Sequence, residues 1–212
     1  YTHYAASSGD PQLRAALLAD IRRKTSLPYE GSTLLVTTGA MHGLLAVMRT
    51  LLSDGDEVIC PAPCFSDYRG HCGLAGGVLV QVPTQFSNGF IPTREEMEAC
   101  ITPRSRVLLI NSPCNPSGIV LPGTTLDMLA DFAREHDLVV VSDEVYDSIS
   151  FTGPVESIAT RPGMFERTIE CSSLSKTYSI TGWRLGYVLA AEPVMERIKK
   201  VHDFLTVGAA AP

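Results

Sequence analysis

Lys176 lies in a run of small hydroxyl residues, Ser172-Ser173-Leu174-Ser175-Lys176-Thr177-Tyr178, and Thr181-Gly182-Trp183-Arg184 follows closely with the only tryptophan of the chain. A lysine amine kept from water can attack a carbonyl carbon. An arginine fork can grip an oxyanion through parallel hydrogen bonds. Asp143 follows the apolar run Val139-Val140-Val141, in Ser142-Asp143-Glu144-Val145-Tyr146. A carboxylate at the end of a buried strand is unfavourable unless it is partnered. It either caps a following helix or faces a cationic ligand atom, and the two readings stand level. Asn111-Ser112-Pro113-Cys114-Asn115-Pro116-Ser117-Gly118 makes a rigid loop of two asparagine turns and two prolines, which by itself reads first as a structured turn. Gly39-Ala40-Met41 opens a helix, where small residues let backbone N–H groups approach an anion, although a glycine before a helix is also ordinary punctuation.

These segments must be positioned by something, and the hydrophobic pattern says what. Helical spacing runs from Leu13 to Ile21 behind the start signal Asp10-Pro11, and again from Met41 to Leu52, Phe65 to Leu74, Arg94 to Cys100, Thr124 to His136 and Pro193 to Phe204. Between them lie apolar strands at Leu34–Val36, Glu57–Cys60 (stopped by Pro61), Val78–Val82, Arg106–Asn111, Leu138–Ser142, Thr168–Cys171 and Leu185–Leu189. Continuous apolar strands alternating with amphipathic helices predict an α/β fold, a mostly parallel sheet covered on both faces. In such sheets ligands sit beyond the carboxyl ends of the strands, which is where the polar segments fall.

The 212 residues are 45% hydrophobic and 19% charged, which excludes disorder, collagen and coiled coil. The formal net charge is −6 and no basic run of five or more occurs, which argues against nucleic acid or an anionic membrane surface as partner. No apolar run approaches the length of a membrane span. Six cysteines show no CxxC spacing, as expected for reduced thiols in a cytoplasmic protein. Cys60, Cys64, His71 and Cys72 cluster in sequence, but their spacing matches no zinc pattern, and buried small hydrophobes are the expected reading. The chain opens on Tyr1 without a charged and apolar leader and stops at Ala209-Ala210-Ala211-Pro212, so it reads as an internal piece of a longer protein.

Together the strand-end residues ask for one ligand. It has an anionic tail, a ring nitrogen for a carboxylate, a phenolic oxygen for Tyr or Asn, and an aldehyde for lysine. Pyridoxal 5′-phosphate fits that description.

Five ordered motifs then carry a family resemblance: Tyr4 with Gly9 and Leu13-Arg14; Val36-Thr37-Thr38-Gly39-Ala40; Asn115-Pro116-Ser117-Gly118; Ser142-Asp143-Glu144-Val145-Tyr146; and Ser173-Leu174-Ser175-Lys176 with Gly182-Trp183-Arg184-Leu185-Gly186-Tyr187. The sequence resembles the class I/II aminotransferases of the aspartate aminotransferase superfamily, which are fold-type I pyridoxal-phosphate enzymes. The resemblance implies a three-layer αβα architecture with a mixed, mostly parallel central sheet. It implies that residues 1–212 form the large cofactor-binding domain, without the family's N-terminal arm or its small domain. The arginine that grips the substrate carboxylate would lie in the missing part. Catalytic roles would fall to Lys176, Asp143 and Tyr146. Lys176 would hold the cofactor aldehyde covalently and, once freed, move the substrate proton. Asp143 would pair with the protonated ring nitrogen. Tyr146 and Asn115 would hydrogen-bond the phenolic oxygen, and Phe65 would stack on the ring. Gly39, Ala40 and Met41 at the helix start, with Ser173 and Arg184, would receive the phosphate. Tyr4 would reach the phosphate of the neighbouring subunit in a homodimer. Ser117 and Cys114 stand where the family often has Thr and Asn. Amino-acid and 2-oxo-acid substrates follow, in a ping-pong amino transfer. Two other readings remain: a carbon–sulfur β-lyase with the same cofactor, and the ligand-sensing domain of a transcription regulator.

Overall fold

Helices and strands alternate along residues 3–151 and 153–208, the part of the chain described in this computed structural model. Tyr1 and Ala209 to Pro212, whose reading suggested a longer protein, lie outside those residues. The first helix, α1 (Pro11–Lys24), starts where the sequence says it must: the Asp10 carboxylate accepts from Gln12 N at 2.8 Å and Leu13 N at 3.0 Å, and Pro11 fills the first turn. Then come β1 (Leu34–Thr38), α2 (Gly39–Leu51), β2 (Glu57–Ala62), α3 (Tyr68–Leu74) and β3 (Val78–Pro83). They are followed by α4 (Arg94–Glu98), β4 (Ser105–Asn111), α5 (Gly123–Glu135), β5 (Val139–Asp143), β6 (Thr168–Ser173), α6 (Leu174–Thr177), β7 (Leu185–Leu189) and α7 (Glu192–Leu205).

The strands form one seven-stranded sheet in the order β1-β7-β6-β5-β4-β2-β3. Neighbours from β3 through β2, β4 and β5 to β6 pair in parallel. β7 runs antiparallel to both β6 and β1, so the sheet is mixed by a single reversed strand. Side chains alternate across it, as a strand's period of two requires. Val58, Cys60, Val107, Leu109 and Val141 pack with Leu44, Val47, Tyr68, Met195 and Ile198 on the face covered by α2, α3 and α7. Ile59, Leu108, Ile110 and Val140 pack with Met97, Leu129 and Phe132 under α4 and α5. At the β1 end of the same face, α1 contributes Leu17, Leu18 and Ile21 against Leu34, Val36 and Leu185. The result is the three-layer αβα architecture with a mixed sheet.

Four local differences from the sequence reading have physical reasons. β2 does not stop before Pro61: Pro61 pairs with Val82 and the strand runs to Ala62. The pairing of β2 with β4 has ended by then, at Ile59, so a missing N–H is tolerated on that side. α3 begins at Tyr68 rather than Phe65, because Phe65 to Tyr68 form a turn closed by a 3.3 Å bond from Tyr68 N to Phe65 O. α6, only four residues long, was not expected from periodicity, which a single turn cannot display. Finally, Asp143 is the last residue of β5, and no helix follows it directly. Of the two readings of Asp143, helix cap and ligand partner, the first is therefore excluded.

Candidate active site

A cavity of about 230 Å³ opens beyond the carboxyl ends of the central strands. Its walls include Ala40, Met41, Asn115, Asp143, Tyr146, Ser173, Lys176 and Arg184, which come from sequence motifs far apart in the chain, and Phe65, which the family resemblance added. The fold brings them together because β1, β4, β5 and β6 all end on this side, β7 runs back from it, and the segments after the strands carry the polar residues.

The floor is set by two adjacent strand ends. Asn111 and Asp143 are register partners at the tips of β4 and β5. The Asn111 amide donates to Asp143 O at 2.9 Å, and its carbonyl oxygen accepts from Asn115 N at 2.7 Å. Asn111 thus fixes the loop that presents Asn115, and it lines the cavity itself. The Asp143 carboxylate is buried and accepts from Tyr68 Oη at 2.7 Å and Val145 N at 3.3 Å. Burial dominates its titration and pushes its pKa up to about 6, against the lowering effect of those two hydrogen bonds. No cation of the described residues pairs with it. Tyr68 also meets Phe65 edge-on, with ring centroids 5.6 Å apart, so one side chain orients both a wall and the carboxylate.

Lys176 rides on α6, whose start is capped by Ser173: its hydroxyl accepts from Ser175 N at 2.9 Å and donates to Leu185 O at 3.0 Å. The hydroxyl hydrogen of Ser173 is therefore already given to β7. Lys176 Nζ lies 5.9 Å from the centre of the Tyr146 ring and has no hydrogen-bond acceptor among the described residues.

The opposite wall is the start of α2. Thr38 provides no side-chain cap, so the first N–H groups of a 13-residue helix are left open to an anion. Arg184 adopts a left-handed conformation (φ 53°), donates to Thr181 O at 3.0 Å, and lays its guanidinium over Gly39 so closely that a Cβ there would collide with it. Gly39 itself has φ 74°, so it shapes this wall through its backbone rather than lining the cavity. Gly186 on β7 lets the Gly39–Ala40 peptide pass, since any Cβ would strike that backbone. Of the predicted residues, Tyr4 alone stands apart: it is exposed and does not line the cavity of its own chain.

Sequence reasoning missed Leu44, Asn111, Val145, Ser175 and Thr181 as wall residues, as well as Tyr68 behind Asp143. Asn111 carried a readable signal, a buried amide directly after an apolar strand. Tyr68 carried none, because its partner lies 75 positions away. Among the described residues no group of three or more His, Cys, Asp or Glu side chains is arranged to hold a metal ion, the Cys60–Cys72 cluster included. No helix among them is long and apolar enough to cross a membrane.

The family model described as aminotransferase class I and II matches residues 1–212. The chain belongs to the class I and II aminotransferases. Within that family it is 42% identical over 211 residues to an aspartate aminotransferase of Musicola paradisiaca, covering 99% of this chain and 52% of that protein. It is 42% identical over 208 residues to the arginine–pyruvate transaminase of Pseudomonas aeruginosa, covering 98% and 53%. The crystal structure of an aromatic aminotransferase from Pyrococcus horikoshii superposes with a TM-score of 0.93 at 39% identity, covering 98% of this chain and 56% of that one. The chain thus spans about half the length of the aminotransferases it matches.

Proposed function

We propose that the protein carrying this chain is a pyridoxal-phosphate-dependent aminotransferase, in which an amino acid gives its nitrogen to a 2-oxo acid. The observation that carries this reading is Asp143, a buried carboxylate with two neutral donors and no cation, at the floor of the cavity that Lys176 also lines.

The residues present fit the cofactor. A protonated ring nitrogen would supply the cation that Asp143 lacks and return its pKa toward the ordinary carboxylate range. The uncapped start of α2 and the Arg184 fork offer a phosphate backbone N–H groups, helix dipole and guanidinium together. Ser173 shapes that end of the cavity as the cap of α6. Phe65 provides an apolar face for a ring, and Asn115 and Tyr146 provide donors on the cavity wall. When bound, pyridoxal phosphate supplies an electron sink for the substrate α-carbon. Lys176 supplies the amine that holds the aldehyde and afterwards accepts and returns the α-proton.

The substrate carboxylate needs a cationic partner from beyond these residues, and Tyr4 is proposed to enter the phosphate site of a second copy in a homodimer. The six free cysteines accord with a cytoplasmic location.

Full-length protein loaded with pyridoxal phosphate should move the amino group of at least one member of a broad amino-acid panel to 2-oxoglutarate or pyruvate. Release of ammonia and pyruvate from cystathionine, with no transfer to either acceptor, would instead establish a β-lyase. Lys176→Ala should lower kcat by at least about 10³-fold, and borohydride should fix the cofactor to the wild-type chain only. A reduced adduct on the Lys176→Ala protein would overturn the assignment.

A further inference from the structure

Asn115 lines the cavity, yet its side-chain amide hydrogen-bonds to nothing among the described residues, so its place there is set by its backbone. That backbone lies in a loop closed on itself: Cys114 N donates to Ile119 O at 2.8 Å and Gly118 N to Cys114 O at 2.7 Å. Two side chains at the end of β4 tie the loop to the sheet. Ser112 Oγ accepts from Leu121 N at 3.0 Å, and Asn111 Oδ1 accepts from Asn115 N at 2.7 Å. Asn111 is buried, and its Nδ2 donates to the backbone oxygen of Asp143 on β5 at 2.9 Å. The two bonds fix which way the amide faces, because a backbone N–H only donates and a carbonyl only accepts. One side chain therefore bridges the strand end that carries Asp143 and the loop residue Asn115. It leaves the Asp143 carboxylate untouched, since that group accepts from Tyr68 Oη and Val145 N.

We propose that Asn111 is a positioning residue for amino transfer: it sets the spacing between Asp143 and Asn115 so that both can serve one cofactor ring. The proposal rests on the pyridoxal-phosphate reading of the cavity, in which Asp143 meets the ring nitrogen and Asn115 the phenolic oxygen. A ring is rigid, so its nitrogen and its oxygen stand a fixed distance apart. Two protein segments serve both only if their own spacing is held to match. The Asn111 amide is a planar group bonded to backbone atoms on both sides, so no further side chain intervenes. Without it, Asn115 N loses its acceptor, the loop gains freedom and the donation from Asn115 to the phenolic oxygen weakens. That donation favours the anionic oxygen, and an oxygen so bonded holds a neighbouring proton less tightly. Loss of Asn111 therefore lets the lysine-linked cofactor keep its proton to higher pH, an effect exerted through Asn115.

The test uses the full-length protein loaded with pyridoxal phosphate, whose visible absorption band changes when the lysine linkage loses its proton. Asn111→Ala should move the midpoint of that change up by about one pH unit, the size expected when a hydrogen bond to a charged oxygen weakens. Asn115→Ala should move it the same way by at least as much. The double variant should move it no further than Asn115→Ala, because the first residue acts through the second. In the cofactor-free protein, Asn111→Ala should keep the wild-type dependence of stability on pH between 4 and 7, since both partners of the Asp143 carboxylate remain. A role in packing alone would lower stability and cofactor affinity and leave the midpoint in place. If the alanine variant does not fold, Asn111→Ser, too short to bridge both backbone atoms, carries the same expectations. A wild-type band with an unmoved variant midpoint, or single-variant shifts that add in the double variant, would overturn the positioning role alone. A wild type with no such band would overturn the cofactor reading together with it.

Discussion

Asp143 and Glu144 are consecutive in the chain, and burial raises the pKa of both, yet they face opposite surroundings. The Asp143 carboxylate looks into the cavity, held by Tyr68 from one helix and by the Val145 amide. The Glu144 carboxylate turns back into the protein, where Ser142 donates to it at 2.8 Å and Ser157 at 2.7 Å. Ser157 also reaches Glu170 at 3.0 Å, and Glu170 accepts from Tyr29 at 2.9 Å. Glu144 and Glu170 therefore meet around one hydroxyl, and Glu144 keeps a proton well past the ordinary carboxyl range. Burial alone does not make a binding site. Glu144 relieves its burial inside the fold, through the hydroxyls of Ser142 and Ser157. Asp143 is left with two neutral donors and, among the described residues, no cationic partner beside the cavity.

The largest expected effect breaks the open side. Asp143→Asn should lower kcat/KM by about 10²- to 10³-fold, because the proposed partner of the ring nitrogen is lost. Its folding should respond in the other direction. The pKa of Asp143 is raised from 3.8 to about 6, so the folded state binds more protons than the unfolded chain between those values. Stability therefore falls as pH rises through that window, by on the order of 3 kcal/mol, and stays lower above it. Cofactor-free Asp143→Asn should lack that share of the slope in urea melts between pH 4 and 7, and pyridoxal phosphate should remove the same share from the wild type. An unchanged slope in the variant would dissolve the contrast with Glu144.

Tyr68→Phe sharpens the comparison at intermediate size. It removes one of two hydrogen bonds that hold the Asp143 pKa down, so that pKa should rise further. The acid limb of cofactor affinity should move to higher pH, with a loss of about 1.5–3 kcal/mol in that interaction, while Phe65 keeps its edge-on ring neighbour. Isothermal titration across pH would read it.

Glu144→Gln should have the smallest effect on catalysis, within about threefold, since the amide mimics the protonated acid and serves no ligand. Its signature is in stability. Wild-type Glu144 ionises in the unfolded chain above its ordinary value of 4.5 but resists ionising when folded. The variant should match wild type near pH 4 and exceed it increasingly as the pH rises above the ordinary carboxyl range. Pyridoxal phosphate should leave that difference unaltered.

Much of this was legible before any coordinates. The seven strands and the long helices announced themselves through apolar runs and periodicity, with ends displaced by up to three residues. Eight residues from the strand-end motifs, and Phe65 from the family resemblance, line one cavity. That succeeded because parallel strands bring their carboxyl ends together, so polar residues after apolar runs converge whatever their separation in sequence. The failures have a common form. α6 is one turn long, and a turn has no period to read. Pro61 stays in β2 because pairing with one neighbour had already ended, a fact about another strand. Tyr68 reaches Asp143, and Glu170 approaches Glu144, only after α3 and β6 have packed.

The sequence by itself determined the alternation of elements, the αβα layering and the chemistry of Lys176, Asp143, Asn115, Tyr146 and Arg184, because hydrophobic period and residue type are local properties. Tertiary structure alone decided the strand order, the reversal of β7, and the partners that hold each of two adjacent carboxylates. Those outcomes depend on which distant donors arrive beside each group, and burial fixes a charge's fate only through such neighbours.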